Sequence, residues 1–257
     1  MRTLEERNKI LELHKEGKNQ SEISRITGIP RATVRDIIFN KHMKRGGALS
    51  EPFSPKDFSE EQKIAYAYIL GQYLGDGHIN LTKRNVYRLR IFSDLKYPNI
   101  IKEIKSKLEI ILPQNKSMSN ITIWNDKPSC DTVTIYSKKI KDMFPQHGEG
   151  IKADRKIELL EWQESIIKSY PKEFIRGLIH SDGCRFIPKA SGKVNYQFTN
   201  TSTDIITLYC KTLDMLNIKY RIAKKPINGK AKRQAYDIST SRKESVNILE
   251  SFVGPKS

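Results

Sequence analysis

Sulfur is scarce in this chain. Cys130, Cys184 and Cys210 are the only cysteines in 257 residues, and no short spacing pairs them. An odd, unpaired set supports neither a disulfide framework nor a zinc knuckle, so all three read as reduced packing residues. The five histidines, His14, His42, His78, His147 and His180, are scattered and make no His-Asn-His arrangement. Long apolar runs are missing too. Nothing approaches the roughly 20 apolar residues of a membrane span, and Met1-Arg2-Thr3-Leu4-Glu5-Glu6 lacks the apolar stretch of a secretory signal. A cytoplasmic protein without a membrane partner is expected. Acidic residues are short as well: 29 Asp and Glu stand against 46 Lys and Arg, leaving a formal charge of +17. Such a surplus favours nucleic acid as partner over an acidic small molecule.

What the chain does contain is one short pattern twice. Ile69-Leu70-Gly71-Gln72-Tyr73-Leu74-Gly75-Asp76-Gly77 is matched by Ile175-Arg176-Gly177-Leu178-Ile179-His180-Ser181-Asp182-Gly183. Each is an apolar, helix-like run with glycine third, then a small residue, then Asp-Gly. Glycine at the third position lets two helices approach closely, and Gly75 or Ser181 tightens the same seam near its end. The final Asp-Gly reads as a helix end whose glycine is free to take positive φ. If the copies pack together, Asp76 and Asp182 emerge side by side. Two carboxylates held close over a basic surface make a divalent-metal site, and such ions activate water against a phosphodiester.

The repeated pattern resembles the LAGLIDADG, or dodecapeptide, homing endonucleases in their single-chain, two-motif form. The likeness runs from about Ser59 to the C-terminus. The aspartates lie 106 positions apart (182 − 76), which suits one αββαββα unit per motif, and similar elements follow each copy. After Asp76 come an alternating strand at 87–92 and an amphipathic helix at 98–108. After Asp182 come a strand at 194–200 and a helix at 204–216. Strands at 132–136 and 236–239 then lead into helices at 138–144 and 243–252.

The resemblance implies an α+β fold of two pseudo-symmetric subdomains, 59–158 and 159–257, whose eight strands form a curved saddle for the major groove of double-stranded DNA. It implies two or more Mg²⁺ ions, with Mn²⁺ or Ca²⁺ able to occupy the same sites, held by Asp76, Asp182 and the backbone carbonyls of Gly75 and Ser181. It also implies a lysine near the end of each half that organises the attacking water. Aligning Gly148-Glu149-Gly150-Ile151-Lys152 with Phe252-Val253-Gly254-Pro255-Lys256 selects Lys152 and Lys256, with Lys156 as the fallback. Ser93 and Asn200 fall where the family places a polar residue that orients metal-bound water. Basic residues accompany the saddle in each half: Lys83, Arg84, Arg88 and Arg90 in the first, and Lys189, Lys193, Arg221, Lys224, Lys225, Lys230, Lys232 and Arg233 in the second. Their density in turns and strands favours phosphate contact.

The first 42 residues read as a separate unit. Leu4, Ile10, Leu11 and Leu13 fall at helical spacing and Gly17 stops the run, which predicts a helix over 3–16. Ser21 is expected to cap a second helix with Ile23 and Ile26 inward, Thr27-Gly28-Ile29 to turn, and Pro30 to open a third helix over 31–38. This helix-turn-helix pattern is similar to those of resolvases and many bacterial regulators. The likeness implies a third helix in the major groove, with Arg31, Thr33 and Arg35 toward DNA and Val34 and Ile38 in the core. Residues 43–58, with Lys44, Arg45, Gly46, Gly47, Pro52 and Pro55, lack periodicity and read as a basic linker.

The expected protein is a monomeric homing-type endonuclease that makes Mg²⁺-dependent double-strand breaks at a long duplex target. Its rival is a transcriptional regulator that keeps the LAGLIDADG fold and binds DNA without cutting. The presence of both aspartates favours the enzyme. A recombinase is a weaker reading, because no serine or tyrosine nucleophile stands in a recognisable context.

Overall fold

The computed structural model describes residues 3–39, 53–124, 127–227, 233–254 and 256, divided between two units, Met1–Pro52 and Phe53–Ser257. The first unit holds α1 (Leu4–Lys15), α2 (Gln20–Thr27) and α3 (Arg31–Ile38). Each helix starts for a local reason. Thr3 caps α1 in a reciprocal box with Glu6, and Asn19 caps α2 in a box with Glu22. Ser21 was the expected cap, but it lies inside α2 because Asn19 Oδ1 already accepts from the N–H groups of Ser21 and Glu22. Gly28, at φ +67°, turns α2 toward α3, which begins after Pro30. Ile10, Ile23, Ile29, Val34 and Ile37 form a small core with Leu13 and Ile38 beside it. Ile26 is 50 % exposed rather than inward, and Ile37 takes the deeper place expected of Ile38. Arg31 and Arg35 are exposed and Thr33 is half-buried.

The second unit runs α4 (Glu60–Asp76), β1 (Gly77–Leu81), β2 (Tyr87–Asp94), α5 (Pro98–Ile111), β3 (Met118–Trp124), β4 (Lys127–Ser137) and α6 (Ile140–Met143). After α7 (Glu161–Ser169) the order repeats as α8 (Pro171–Asp182), β5 (Gly183–Phe186), β6 (Asn195–Asn200), α9 (Thr203–Met215), β7 (Arg221–Lys224), β8 (Tyr236–Thr240) and α10 (Lys243–Glu250). Apart from α7, this is the αββαββα unit twice. Each half closes an antiparallel four-stranded sheet, ordered β1-β2-β4-β3 and β5-β6-β8-β7. Of the expected linker, residues 43–52 lie outside the described residues. Phe53 and Phe58 belong to the second unit: Phe53 packs edge-on against Trp162 and Phe58, and Phe58 leans on Tyr66.

Alternation decides which face of each sheet is covered. Leu89, Ile91, Val133 and Ile135 are buried in the first sheet, and Tyr196, Phe198 and Ile238 in the second. The intervening residues Arg88, Arg90 and Phe92 on β2, and Asn195, Gln197 and Thr199 on β6, therefore share the open face. Gly77 lies opposite Ile91, and Gly183 lies opposite Phe198. The two sheets can thus be superposed residue for residue: Arg88 corresponds to Asn195, Arg90 to Gln197 and Ser93 to Asn200. No helix among the described residues is long and apolar enough to cross a membrane.

The halves meet where α4 lies against α8. A Cβ on Gly71 would stand 2.6 Å from the carbonyl oxygen of Phe174 and 2.8 Å from the amide nitrogen of Leu178. A Cβ on Gly177 would collide with the Tyr68 carbonyl oxygen, and one on Gly75 would strike Ser181 Oγ. Ser181 fits this seam by folding its hydroxyl back onto its own helix, donating to Leu178 O at 2.9 Å or Gly177 O at 3.2 Å. Gly77 and Gly183 correct the expectation of positive φ: they sit at −91° and −96°. What they supply is room. A Cβ on Gly77 would lie 2.5 Å from Tyr73 Cα, and one on Gly183 would lie 2.7 Å from Ile179 Cα, because the chain bends straight from each helix into a strand.

Gly→Ala inside an exposed helix gains about 1 kcal/mol from propensity. At Gly71 and Gly177 the new methyl meets backbone, which cannot swing aside, so overpacking of about 1–3 kcal/mol prevails. Gly71→Ala and Gly177→Ala should therefore lower the denaturant midpoint. Gly148→Ala, where the nearest atom is Arg155 Cδ at 3.4 Å, should stay within about 0.5 kcal/mol of the parent.

Candidate metal and nucleic-acid site

Asp76 and Asp182 end the two crossing helices, so the seam that joins the halves also sets their carboxylates near each other. Asp182 Oδ2 accepts from Asn200 Nδ2 at 2.7 Å. Asn200 is itself fixed, because its Oδ1 accepts from the Ser202 N–H at 2.8 Å, and Ser202 caps α9. Burial pushes the Asp182 carboxyl up to about 6, and the neighbouring Asp76 charge adds to the shift, while Lys152, Asn200 and Lys256 oppose it. Burial likewise raises Asp76 against the pull of the same two lysines. The pair thus carries negative charge that the protein compensates only in part.

Both expected lysines arrive at this point. Lys152 Nζ donates to Gly75 O at 2.5 Å and to Tyr73 O at 2.7 Å. Lys256 Nζ donates to Ser181 O at 3.1 Å. These carbonyls belong to the last turns of α4 and α8, where acceptors run out of helical N–H partners and the helix dipole favours a cation. Burial pushes the Lys152 ammonium down to about 8, against Asp182 and Asp76, and burial also lowers Lys256. Lys152 begins a short 3₁₀ turn, Lys152–Asp154. That turn is held by Arg233, which grips Asp154 through two bonds of 3.0 and 2.7 Å. Lys156, the fallback, is elsewhere: it is exposed and paired with Glu158 at 2.5 Å. Ser93 takes the register position of Asn200, but among the described residues it does not repeat the bond to an aspartate.

The donor set is all oxygen: two carboxylates and the carbonyls of Gly75 and Ser181. No group of three or more His, Cys, Asp or Glu side chains is placed to hold a metal among the described residues. Two carboxylates with backbone oxygen suit a hard cation that keeps several waters, as Mg²⁺ does, and do not suit zinc. His180 is no ligand. It is buried, its Nδ1 accepts from Tyr68 Oη at 2.9 Å, and burial with nearby Arg176 pushes it down to about 4.

The open face of the first sheet is basic and braced. Arg88 Nε donates to Asn80 Oδ1 at 3.1 Å, and Arg90 Nη2 meets His78 Nδ1 at 3.1 Å. Burial and Arg90 lower His78, leaving it neutral as an acceptor. Lys83 and Arg84 sit in the β1–β2 turn and Lys189 and Lys193 in the β5–β6 connection. Register places Arg221 on the open face of β7. Three of the expected residues lie off that face or already hold a carboxylate. Lys224 falls on the opposite face, paired with Tyr236; Arg233 is committed to Asp154; and Lys225 forms an ion pair with Asp237 at 3.2 Å. Lys230 and Lys232 lie outside the described residues. Charge gave no signal for Asn195, Gln197 and Thr199, which occupy the centre of the second open face; the alternation with Tyr196 and Phe198 was the available clue.

No protein-family model and no curated protein sequence matches the chain. Solved structures do. A mesophilic variant of the homing endonuclease I-DmoI superposes with a TM-score of 0.51 at 17 % identity, over 76 % of this chain and 97 % of that one. I-DmoI in complex with DNA and Mn gives 0.50 at 18 % identity, over 75 % and 97 %. I-WcaI bound to its DNA recognition sequence gives 0.51 at 15 % identity, over 83 % and 92 %. With two motif helices crossing at glycine and two αββαββα halves around them, the chain carries the fold of the LAGLIDADG homing endonucleases.

Proposed function

We propose that this protein is a site-specific, homing-type DNA endonuclease that hydrolyses both strands of a long duplex target with Mg²⁺. The observation that carries this reading is the pair Asp76 and Asp182 at the ends of the crossed helices, each half adding a lysine seated on a helix-terminal carbonyl. Solved structures of the same fold, described as homing endonucleases bound to DNA and to Mn, support it. Asp76 and Asp182 are the side chains that would hold divalent ions, and the carbonyls of Gly75 and Ser181 would join them once the Lys152 and Lys256 ammonium groups that they now accept from turn aside. Bound there, such an ion supplies Lewis-acid activation of water and neutralises charge on the phosphate.

The remaining roles fall to the chain itself. Asn200 holds the Asp182 carboxylate in one orientation. Lys152 and Lys256 orient the water and polarise it beside the scissile phosphates, and the lowered Lys152 keeps a proton it can release near neutral pH. Lys83, Arg84, Arg88, Arg90, Lys189, Lys193 and Arg221 neutralise the DNA backbone or meet its bases. Both motifs lie in one chain, so a monomer suffices. The third helix of the first unit, with Arg31, Thr33 and Arg35, adds a separate major-groove contact.

Asp76→Asn and Asp182→Asn should each reduce double-strand cleavage at least about 10²-fold, the scale of losing one electrostatic catalytic group. Duplex binding should stay within about tenfold. Lys152→Met should fall with them and Lys156→Met should not. Binding by the parent chain with no cleavage in Mg²⁺ would support the non-cleaving regulator instead.

The raised Asp182 sets a pH dependence. Its folded-state value, about 6 against an ordinary 3.8, means the folded protein prefers the protonated form. Stability is therefore greatest at low pH for this group and falls as pH rises toward and through 6. Without divalent ions, Asp182→Asn should melt above the parent at pH 7.5, and Mg²⁺ should raise the parent's Tm more at pH 7.5 than at pH 5. An equal Mg²⁺ effect at both pH values would count against metal binding by these carboxylates.

Deleting residues 1–44 should weaken target binding through loss of effective concentration but leave the cut positions unchanged. Mapping of the cut ends at saturating protein checks this. A truncated chain that folds and binds but no longer cuts would place the first unit in the catalytic assembly.

A further inference from the structure

The two open faces are built on one plan but carry different chemistry at matched positions. On β2 the outward residues are Arg88 and Arg90; on β6 the equivalent places hold Asn195 and Gln197. Both pairs stand on the central strands of their sheets, since β2 bonds to β1 and β4 and β6 bonds to β5 and β8. Central strands of a saddle face the base edges, whereas the turns reach the phosphates. In the major groove a guanidinium matches the O6 and N7 acceptors of guanine. A carboxamide, with one donor and one acceptor, matches the N7 acceptor and N6 donor of adenine.

The local bonds leave these groups ready for that use. Asn80 takes Arg88 Nε, which fixes the guanidinium and leaves both Nη groups for a ligand. Arg90 spends one Nη2 hydrogen on His78 and its Nε is buried, so the donors left to it are those of Nη1 and the second Nη2 hydrogen. In the second sheet, Gln197 stands two residues before Thr199 on the open face, where Asp237 accepts from Thr199 Oγ1 at 2.5 Å and pairs with Lys225. A carboxylate can only accept, so even an N–H turned toward Asp237 leaves the Gln197 carboxamide its second N–H and its Oε1. That remainder is the pattern adenine requires.

We infer that the two halves read unlike half-sites: guanines opposite β2, through Arg88 and Arg90, and adenines opposite β6, through Asn195 and Gln197. This rests on the reading of the chain as a DNA endonuclease and names the bases that its target presents.

The test exchanges matched residues. The full chain and the variants Arg90→Gln and Gln197→Arg select bound duplexes from a randomised library in Ca²⁺, and the enriched sequences are compared. The parent should enrich guanine on one side of the site and adenine on the other. Arg90→Gln should shift one guanine position toward adenine, by about tenfold, the discrimination of one bidentate contact. Gln197→Arg should make the opposite change on the other side alone. Arg88→Asn and Asn195→Arg repeat the exchange one position along and keep the test decisive if the first pair folds poorly. Variants that bind with unchanged base preferences, or that weaken all sequences equally as phosphate contacts do, overturn the half-site assignment while leaving the endonuclease reading intact. A parent chain that enriches no duplex at all overturns both.

Discussion

The close approach of α4 and α8 at Gly71 and Gly177 is the constraint on which the rest of the second unit depends. Backbone meets backbone there, so the helices cannot slide or rotate without a collision, and their ends hold a defined separation. Everything chemical is fastened to those ends. The aspartates terminate the helices, the terminal carbonyls receive the lysines, and the first strand of each sheet begins at the next residue. Buried polar bonds lock the same seam. Tyr68 of α4 donates to His180 of α8 while accepting from Gln72 at 3.0 Å. Arg176 of α8 reaches Glu103 of α5, with one bond of 2.7 Å, tying the second motif helix to the first half.

That arrangement places the aspartates under electrostatic stress. Carboxylates beside each other in a partly dry site cost free energy, which lysines on both sides only partly offset. Such stress is common where a protein prepares a site for something it does not itself supply. The lysines add a second layer: each is lowered by burial and held by helix carbonyls rather than by an ion pair with one carboxylate, so each keeps a defined position beside both acids.

Much of this was legible in the residues because it depends on spacing. The glycines at third position, the aspartates after them and the repeated order of elements follow from patterns with a period, and period survives without a structure. The family resemblance together with alignment of the two halves points to Lys152 and Lys256, whose ammonium groups lie on the Gly75 and Ser181 carbonyls. The misreadings arose where a residue type admits two causes. Gly77 and Gly183 suggested a left-handed turn, yet the need was space against Tyr73 and Ile179. Ser21 and Asn19 are both good caps, and two residues of chain decided between them. For Arg233 the sequence shows only its charge, since its partner Asp154 lies 79 positions away and no local pattern announces that bond. Asn195 and Gln197 carry no charge, so a reading led by basic residues passed over them.

Ser93 with its counterpart Asn200, and Arg90 with its counterpart Gln197, are pairs that a dimer of identical subunits would be unable to hold apart, since every substitution there appears twice. Twofold symmetry in a protein imposes palindromy on the duplex it reads. Joining the halves by one peptide chain removes that obligation: the geometry of the crossed helices stays symmetric, while each sheet is free to drift independently. A lineage with such a scaffold can follow its recognition sequence through mutations on one side at a time.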